Sequence, residues 1–267
     1  MRHKIFLLVF LAISIPILRP LGIPLTITKD VRSVYDFVEN LPKGSAVVIS
    51  FDVTPAGYGE NGPGTNAMMK HILSRGLKIV GVSFCDTGPM IQENAMRLID
   101  MKDKKYGEDW VNLGFRAGEE SSLSAFAADI HKTFPKDFRG NDISSLPMMK
   151  DIKTIKDAKL IIDVFSSVPG VQPWIRQVSD PYKIPMTSTC TANNIANLAP
   201  FVQSKQLIGL VPGLRGGAEY ELLIKQPAVA VAGMDAQSCA HVLVLGLVIV
   251  GNIIYFRSPK QNGGAAK

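Results

Sequence analysis

Short runs of consecutive apolar residues alternate along the middle of the chain with segments whose apolar residues recur at helical spacing. The clearest runs are AVVISFDV at 46–53, KIVGVSF at 78–84 and AKLIIDVF at 158–165. They lack polar alternation and are rich in β-branched residues, which is typical of strands buried on both faces of a sheet. Two weaker runs, VNLGF at 111–115 and IPMTSTC at 184–190, predict further strands.

Helical spacing begins in residues 28–44, where Val31, Val34 and Val38 share one face and a Pro-Lys-Gly sequence ends the pattern. Further helical patterns occupy 65–76, 90–105 and 122–134, and 135–157 predicts an irregular excursion. Strands and helices that alternate at this spacing predict a three-layer α/β/α domain with a mainly parallel sheet, either Rossmann-like or flavodoxin-like.

A long uncharged segment near the C-terminus predicts a transmembrane helix. Residues 236–256 carry no formal charge over 21 positions, and Arg257 follows at once. About 20 apolar residues are needed to cross a bilayer as a helix. Gln237, His241 and Asn252 are polar residues within or beside this segment, where such groups usually contact other helices; solvation at the membrane interface is the equally weighted alternative.

The N-terminus also predicts a membrane-directed segment. Arg2 and Lys4 precede IFLLVFLAISIPIL, an apolar run that ends before Arg19. A positive head and a short apolar core fit a secretory signal, but no clear small-residue cleavage site follows, which favours an uncleaved signal anchor. We therefore assign 1–27 to an anchor or short transmembrane segment, 28–232 to the α/β domain, 233–257 to the C-terminal helix and 258–267 to a basic disordered tail.

The distribution of charge argues against a nucleic-acid partner. The net charge is +6, yet every acidic residue lies between Lys29 and Asp235, and that interval is formally neutral. The excess belongs to the two ends, including Lys260 and Lys267, rather than to a basic surface of the folded domain. By the positive-inside rule both tails lie in the cytoplasm, which predicts a cell-membrane protein whose α/β domain is extracytoplasmic. A tail-anchored protein with a cytoplasmic domain is the alternative.

Several phrases of the chain resemble an uncharacterised family of prokaryotic membrane-anchored α/β proteins. They are LPKGSAVVISFDVTP, LPMMKDI, SKQLIGLVPGLRGGAEYE and GMDAQSCAH, the last of which leads into the terminal apolar helix. The resemblance covers most of the chain and implies the architecture and the membrane attachment. It carries no known activity and assigns no catalytic residue.

Residues 57–62 spell the glycine pattern of a dinucleotide-binding loop. In that fold the first glycine follows the strand almost immediately, whereas three residues intervene here after Val53. Glu60 adds negative charge, and Pro63 follows the third glycine. The segment is therefore interpreted as a flexible turn, with the helix opening near Pro63 and capped by Thr65 or Asn66.

Asp52, Asp86 and Asp163 each lie at or near the carboxyl end of a predicted strand. Ligands usually bind at that edge of a parallel sheet, where three carboxylates would hold Mg²⁺ or divide acid and base roles. Residues 51–55 resemble the aspartate loop of haloacid-dehalogenase-type phosphotransferases, but Thr54 stands where that motif has its second aspartate. The favoured alternative is that the aspartates cap helices or loop amides.

A second candidate site is the glycine-rich segment around Arg215, Gly216 and Gly217, where exposed amides and an arginine would receive an anion. Helix capping is the plainer interpretation, because Glu219 and Glu221 follow in the first turn. Cys85 and Cys190 are interpreted as core thiols, with a disulfide as the alternative. His71 is assigned to half-buried packing.

The sequence thus predicts a membrane-anchored, non-catalytic α/β domain that acts as a binding or scaffolding subunit of a membrane assembly. Its expected partners are the bilayer and other membrane subunits or copies of itself, with no cofactor. A Mg²⁺-dependent hydrolase or phosphotransferase that uses the three aspartates is one alternative. An extracytoplasmic small-ligand sensor is the other.

Overall fold

The computed structural model describes residues 2–167 and 169–257 of the chain. The chain divides into two compact units. Leu25–Ala230 forms the α/β unit, and Met1–Pro24 with Val231–Lys267 forms the terminal unit. The predicted disordered tail at 258–267, with Lys260 and Lys267, lies outside the described residues.

Six strands of the α/β unit form one parallel sheet. They are β1 (Ala46–Ser50), β2 (Lys78–Ser83), β3 (Trp110–Phe115), β4 (Ala158–Phe165), β5 (Met186–Cys190) and β6 (Leu210–Pro212). Their order across the sheet is β3-β2-β1-β4-β5-β6, and each neighbouring pair is parallel. The predicted α/β class is confirmed, and the order is that of the Rossmann-type doubly wound fold, which has its topological switch point between β1 and β4.

Helices of the α/β unit cover both faces of this sheet. In chain order the described helices are α1 (Arg2–Leu18), α2 (Lys29–Glu39), α3 (Pro55–Ser74), α4 (Gly88–Ile99), α5 (Glu119–Ala128), α6 (Ile130–Thr133), α7 (Val171–Trp174), α8 (Asp180–Tyr182), α9 (Ile195–Gln203), α10 (Gly213–Leu223) and α11 (Val229–Arg257). Of these, α1 and nearly all of α11 belong to the terminal unit. A π-helical turn, Ile175–Ser179, continues α7, and short 3-10 turns interrupt the excursion before β4 and precede α9.

The two faces of the sheet hold separate apolar cores, because successive residues of a strand point to opposite sides. From β1, Val47 and Ile49 pack in a cluster with α2, α3, α4 and α10, whereas Val48 packs in a cluster with α5, α6 and α7. All three side chains are fully buried. Burial on both faces accounts for the unbroken apolar runs in the sequence.

The glycine pattern at 57–62 is helical, so its interpretation as a flexible turn was wrong. Helix α3 starts at Pro55, and the Thr54 side chain accepts a hydrogen bond from the Gly57 amide at 3.2 Å. The helix therefore starts at Pro55 rather than near Pro63, and its N-cap is Thr54 rather than Thr65 or Asn66. The physical reason is that Thr54 and Pro55 supply a complete start signal, an N-cap hydroxyl followed by a residue with a helical φ.

Two glycines bring helices α3 and α10 into backbone contact. A Cβ built on Gly217 would lie 2.8 Å from the Gly64 backbone nitrogen, and one built on Gly64 would lie 3.2 Å from Gly217 Cα. Neither partner atom belongs to a side chain that can rotate away. The contact therefore requires glycine at 217, and a Cβ at 64 would push the two backbones slightly apart.

The terminal unit contains the candidate membrane segments. Helix α11 has 29 residues and a most apolar window of mean hydropathy 2.2, which makes it long and apolar enough to cross a bilayer. It begins four positions before the predicted 233. Among the described helices α1 is apolar but shorter, with 17 residues. The buried Asp235 carboxylate accepts hydrogen bonds from the amides of Leu21, Gly22 and Ile23 at 2.7, 2.9 and 3.1 Å, which attaches the segment after α1 to α11.

We expect Gly217→Ala to destabilise the full chain by about 1–3 kcal/mol, because the new methyl group meets backbone atoms of α3. Gly59→Ala is the matched control, since no atom lies within 4 Å of its added Cβ and alanine is the better helix former. Thermal unfolding followed by circular dichroism in detergent measures both. Equal melting temperatures for the two variants would contradict the assigned helix contact.

Candidate functional site

A cleft of about 870 Å³ opens at the carboxyl edge of the sheet, beside the ends of β4 and β5. It is called the cleft below. Its lining residues come from the connection between β4 and α7, from the segment after β5 and from the start of α5. They are Glu120, Phe165, Ser166, Ser167, Pro169, Gly170, Val171, Gln172, Pro173, Arg176, Asn193, Asn194, Asn197 and Leu198.

Asp52, immediately beyond β1, organises this edge with its side chain. Its Oδ2 accepts hydrogen bonds from Ser50 Oγ at 2.6 Å and from Trp174 Nε1 at 3.0 Å. Its Oδ1 accepts one from the Phe84 amide at 2.8 Å. Asp52 and Trp174 are both fully buried. The carboxylate therefore joins the ends of β1 and β2 to helix α7.

The Asp52 main chain holds the other end of the same connection. Its carbonyl oxygen accepts hydrogen bonds from the Ser166 and Ser167 amides, each at 3.0 Å. Ser166 Oγ in turn accepts one from the Thr54 amide at 3.2 Å, and it lies so close to Gly57 that no side chain would fit there. Asp52 thus holds the connection between β4 and α7 at both of its ends, through Ser166 and Ser167 after β4 and through Trp174 in α7.

Asp163, on β4 at the switch point, is the unsatisfied group of the site. It is fully buried, and neither carboxyl oxygen has a hydrogen-bond partner among the described residues. Its backbone pairs with Ser50 of β1. A buried polar atom without a partner is uncommon in folded proteins and requires a structural or functional explanation.

Burial raises the pKa of both carboxyl groups. Burial raises the pKa of Asp52 from 3.8 to about 6, although its three hydrogen bonds lower it. The pKa of Asp163 is raised well above its ordinary value, first by burial and then by the charge of Asp52. Burial, with smaller contributions from Asp163 and Glu60, raises the pKa of the Cys190 thiol to about 12. Burial and the charge of Asp52 thus both disfavour ionisation of Asp163.

Asp86 differs from this pair in its exposure to solvent. Asp86 is exposed in the connection between β2 and α4, whereas Asp52 and Asp163 are fully buried. Within residues 2–167 and 169–257, no three His, Cys, Asp or Glu side chains are grouped so that they would hold a metal ion. The three-aspartate Mg²⁺ site, which the sequence offers as the alternative to capping, is not assembled in this part of the chain.

The polar lining of the cleft combines one ion pair with amide groups. Arg176 forms an ion pair with Glu120, whose Oε2 also accepts a hydrogen bond from Gln177 at 2.8 Å. Hydrogen bonding by Gln177 and then by Arg176 lowers the pKa of Glu120. The exposed amide groups of Gln172 and Asn197 make no hydrogen bond to described residues. The charges of the lining cancel, and its free groups are neutral donors and acceptors.

Arg215, Gly216 and Gly217 lie in the first turns of α10 rather than in an open loop. Arg215 donates to Glu219 Oε1 at 3.0 Å, and the same carboxylate accepts hydrogen bonds from the Thr28 amide and hydroxyl at 2.8 and 2.7 Å. A Cβ on Gly216 would lie 2.7 Å from the Val211 carbonyl carbon. These residues attach α10 to its neighbours, and a ligand role for them stays a prediction.

His71 occupies a buried hydrogen-bond network that its sequence context does not reveal. Its Nε2 lies 2.7 Å from Glu39 Oε2, its Nδ1 lies 2.9 Å from Tyr220 Oη, and its ring stacks on Tyr35. The imidazole is 4% exposed, so its burial is more complete than expected. Burial lowers the pKa of His71, against the raising effect of Glu39. The network joins α2, α3 and α10.

The cysteines are free thiols, as the favoured interpretation held. Cys85 and Cys190 are buried and unpaired. Cys85 Sγ lies 3.3 Å from Thr87 Oγ1, and Cys190 packs in the core on the α5 and α7 side of the sheet. The alternative disulfide between them is not formed.

Comparison of the chain with protein families, with curated proteins and with solved structures finds no match in any of the three. Function is therefore inferred from the residues of the site.

We expect Asp163→Asn to be more stable than the wild type at pH 8 by about 1–3 kcal/mol, because asparagine cannot ionise, whereas the buried acid with its raised pKa destabilises the fold at that pH. In the wild type both folded-state pKa values lie above their unfolded values. The folded state therefore binds more protons, and stability falls as the pH rises from about 4 through about 6.

Thermal unfolding of the full chain at pH 5 and pH 8 measures this difference. The variant should lose less stability than the wild type over that interval. Asp86→Asn, at an exposed aspartate, is the control and should follow the wild type. A variant that is less stable than the wild type at pH 8 would show that the Asp163 carboxyl makes a stabilising interaction.

Proposed function

We propose that this protein is a membrane-attached, non-catalytic α/β binding protein whose α/β unit takes up a small, uncharged, hydroxyl-rich ligand in the cleft. The supporting observation is the position and lining of the cleft. It lies at the carboxyl edge of a parallel sheet near the switch point, where open α/β folds bind their ligands.

The chemistry of the lining favours a neutral polar ligand. Glu120 and Arg176 neutralise each other, so the lining offers no net charge to an ion. Gln172 and Asn197 present amides, and Ser167 presents a hydroxyl, which together donate and accept hydrogen bonds as sugar hydroxyls do. The apolar groups of Phe165 and Leu198, together with the prolines of the lining, provide the contact area that such ligands need besides hydrogen bonds.

Metal-dependent catalysis receives less support. The alternative hydrolase or phosphotransferase needs Asp52, Asp86 and Asp163 around one Mg²⁺ ion. The hydrogen bonds of Asp52 come from Ser50, Phe84 and Trp174, all inside the protein. Asp86 is exposed, whereas Asp52 and Asp163 are fully buried. The geometry supports a role for Asp52 in holding the cleft wall rather than in binding a metal.

Membrane attachment through α11 suggests a second role as a subunit of a membrane assembly. Gln237, His241 and Asn252 are exposed on α11, and their side chains make no hydrogen bond to described residues. In a bilayer such groups are stabilised by a second helix. The partner is a neighbouring membrane helix, from another subunit or from a second copy. The positive flanks of the chain favour an extracytoplasmic α/β unit.

We expect the full chain in detergent to show a raised melting temperature with at least one member of a panel of uncharged mono- and disaccharides. A ligand at 100 times its dissociation constant stabilises the folded state by about 2.7 kcal/mol. Asn197→Leu should abolish the shift without changing the melting temperature of the free protein. Gln203→Leu, on the same helix but outside the cleft, should retain it. Absence of a shift with every sugar tested would refute this ligand class.

For the second role we expect in-membrane cross-linking between α11 helices, or between α11 and a partner, to depend on the three polar residues. Replacing Gln237, His241 and Asn252 together by leucine should lower the cross-linked fraction severalfold, since each interhelical hydrogen bond contributes about 0.6–2 kcal/mol. Ser238→Ala is the control, because the Ser238 hydroxyl donates to Met234 within the same helix. An unchanged fraction in the triple variant would contradict this role.

A further inference from the structure

A second cavity, separate from the cleft, lies between α3, α4 and the segment that leads from α10 into α11. Its volume is about 350 Å³, which is within the range of about 300–1,000 Å³ typical of small-molecule pockets. It is called the apolar pocket below. The residues that line it are Tyr58, Gly62, Pro63, Asn66, Ala67, Lys70, Leu98, Ile99, Glu221, Ile224, Gln226, Ala228 and Val229.

The wall of the apolar pocket is mostly hydrocarbon. A Cβ on Gly62 would lie 2.8 Å from the Tyr58 ring, so the glycine allows this ring to lie flat along α3. The Tyr58 hydroxyl donates to Asn66 Oδ1 at 2.7 Å, which satisfies it inside the wall. Leu98 is 69% exposed and Val229 is 71% exposed. Such a surface suits an alkyl chain rather than a polar ligand.

One charged group of the lining is free to bind a ligand. Lys70 is half-buried, and its ammonium forms no ion pair with a described residue. The other charged side chain, Glu221, already accepts hydrogen bonds from the Ala228 and Ala230 amides at 2.8 and 3.0 Å. An ammonium group beside an apolar cavity is complementary to an amphiphile with an anionic head.

The chain itself indicates where such an amphiphile would come from. Val229, in the wall of the apolar pocket, is the first residue of α11, the helix that is long and apolar enough to cross a bilayer. We propose that the apolar pocket binds a single-chain anionic lipid, a long-chain fatty acid, with its alkyl chain between α3 and α4 and its carboxylate at Lys70. This site is independent of the ligand in the cleft.

A photo-crosslinkable palmitic acid tests the proposal on the full chain in phosphatidylcholine nanodiscs. Proteolysis and mass spectrometry then locate the label. We expect labelled peptides from residues 58–70 and 221–229, displaced by excess unlabelled palmitic acid. Labelling of α11 by the surrounding bilayer serves as an internal reference. Label confined to α11 would overturn the proposal.

Two kinds of variant test the cavity and the contact between the head group and Lys70 separately. Ala228→Trp, at an exposed lining residue, should fill the cavity and reduce pocket labelling by about tenfold. Lys70→Met should reduce it to a similar extent, since a tenfold loss corresponds to about 1.4 kcal/mol of binding. Lys70→Arg and Lys78→Met, the latter at a half-buried lysine outside the pocket, should retain the label.

Circular dichroism confirms that each variant is folded before its labelling is compared. Pocket labelling that is insensitive to Ala228→Trp would overturn the site. Equal labelling by a photo-crosslinkable palmityl alcohol, together with full labelling of Lys70→Met, would overturn the assignment of an anionic head. Loss of sugar binding in the Asn197→Leu variant leaves these outcomes unchanged, so the two sites are tested separately.

Discussion

The arrangement of the carboxyl edge depends on the hydrogen bonds of Asp52. Its carbonyl oxygen holds the Ser166 and Ser167 amides, and its carboxylate holds Trp174. The connection that forms one wall of the cleft begins beside those serines and ends at that tryptophan. The same carboxylate accepts the Phe84 amide beyond β2. Because these contacts converge on one buried residue, the shape of the cleft and the packing of the switch point depend on each other.

This arrangement places a carboxylate where water cannot reach it. A second carboxyl, that of Asp163, lies nearby without a hydrogen-bond partner among the described residues. Burial raises the pKa of both groups, so each destabilises the fold when it is ionised. Perturbed pKa values of this kind concentrate at functional sites. These observations support the proposed site at this edge of the sheet rather than at the glycine-rich start of α10, where Arg215 and Glu219 form an ion pair.

The sequence allowed the sheet and the terminal helix to be predicted, because both follow from local patterns. Strands that are buried on both faces of a sheet appear in the sequence as unbroken apolar runs. A helix that crosses a bilayer needs about 20 uncharged, mostly apolar residues. Strand β6 was missed because only three residues form it. The glycine pattern at 57–62 was misinterpreted because the helix start was sought at Pro63, after the glycines. The start signal, Thr54 followed by Pro55, lies before them. That signal was present in the sequence and would have placed the helix correctly.

The site was only partly predictable. The position of Asp52 and Asp163 at one edge could be predicted because strand ends of a parallel sheet share that edge, and a functional role for them stays a prediction; Asp86 lies beyond Cys85 in an exposed connection. The bond from Trp174 to Asp52 joins residues 122 positions apart, and nothing in the local sequence indicates it. The apolar pocket likewise depends on how α3, α4 and the segment before α11 pack. Such contacts are set by tertiary structure and leave no periodic signal.

Hydrogen–deuterium exchange of the full chain tests the role of Asp52 most directly when the wild type is compared with Trp174→Phe. This substitution keeps an aromatic ring in the core and removes the indole N–H that donates to Asp52, together with part of the indole ring system; Phe126→Leu, which removes aromatic volume beside Trp174 but no hydrogen bond, is the control. Amides of residues 165–174 should exchange about tenfold faster in the variant, while those of β1 and β2 keep their protection. Unchanged exchange throughout 165–174 would contradict the claim that Asp52 holds the cleft wall.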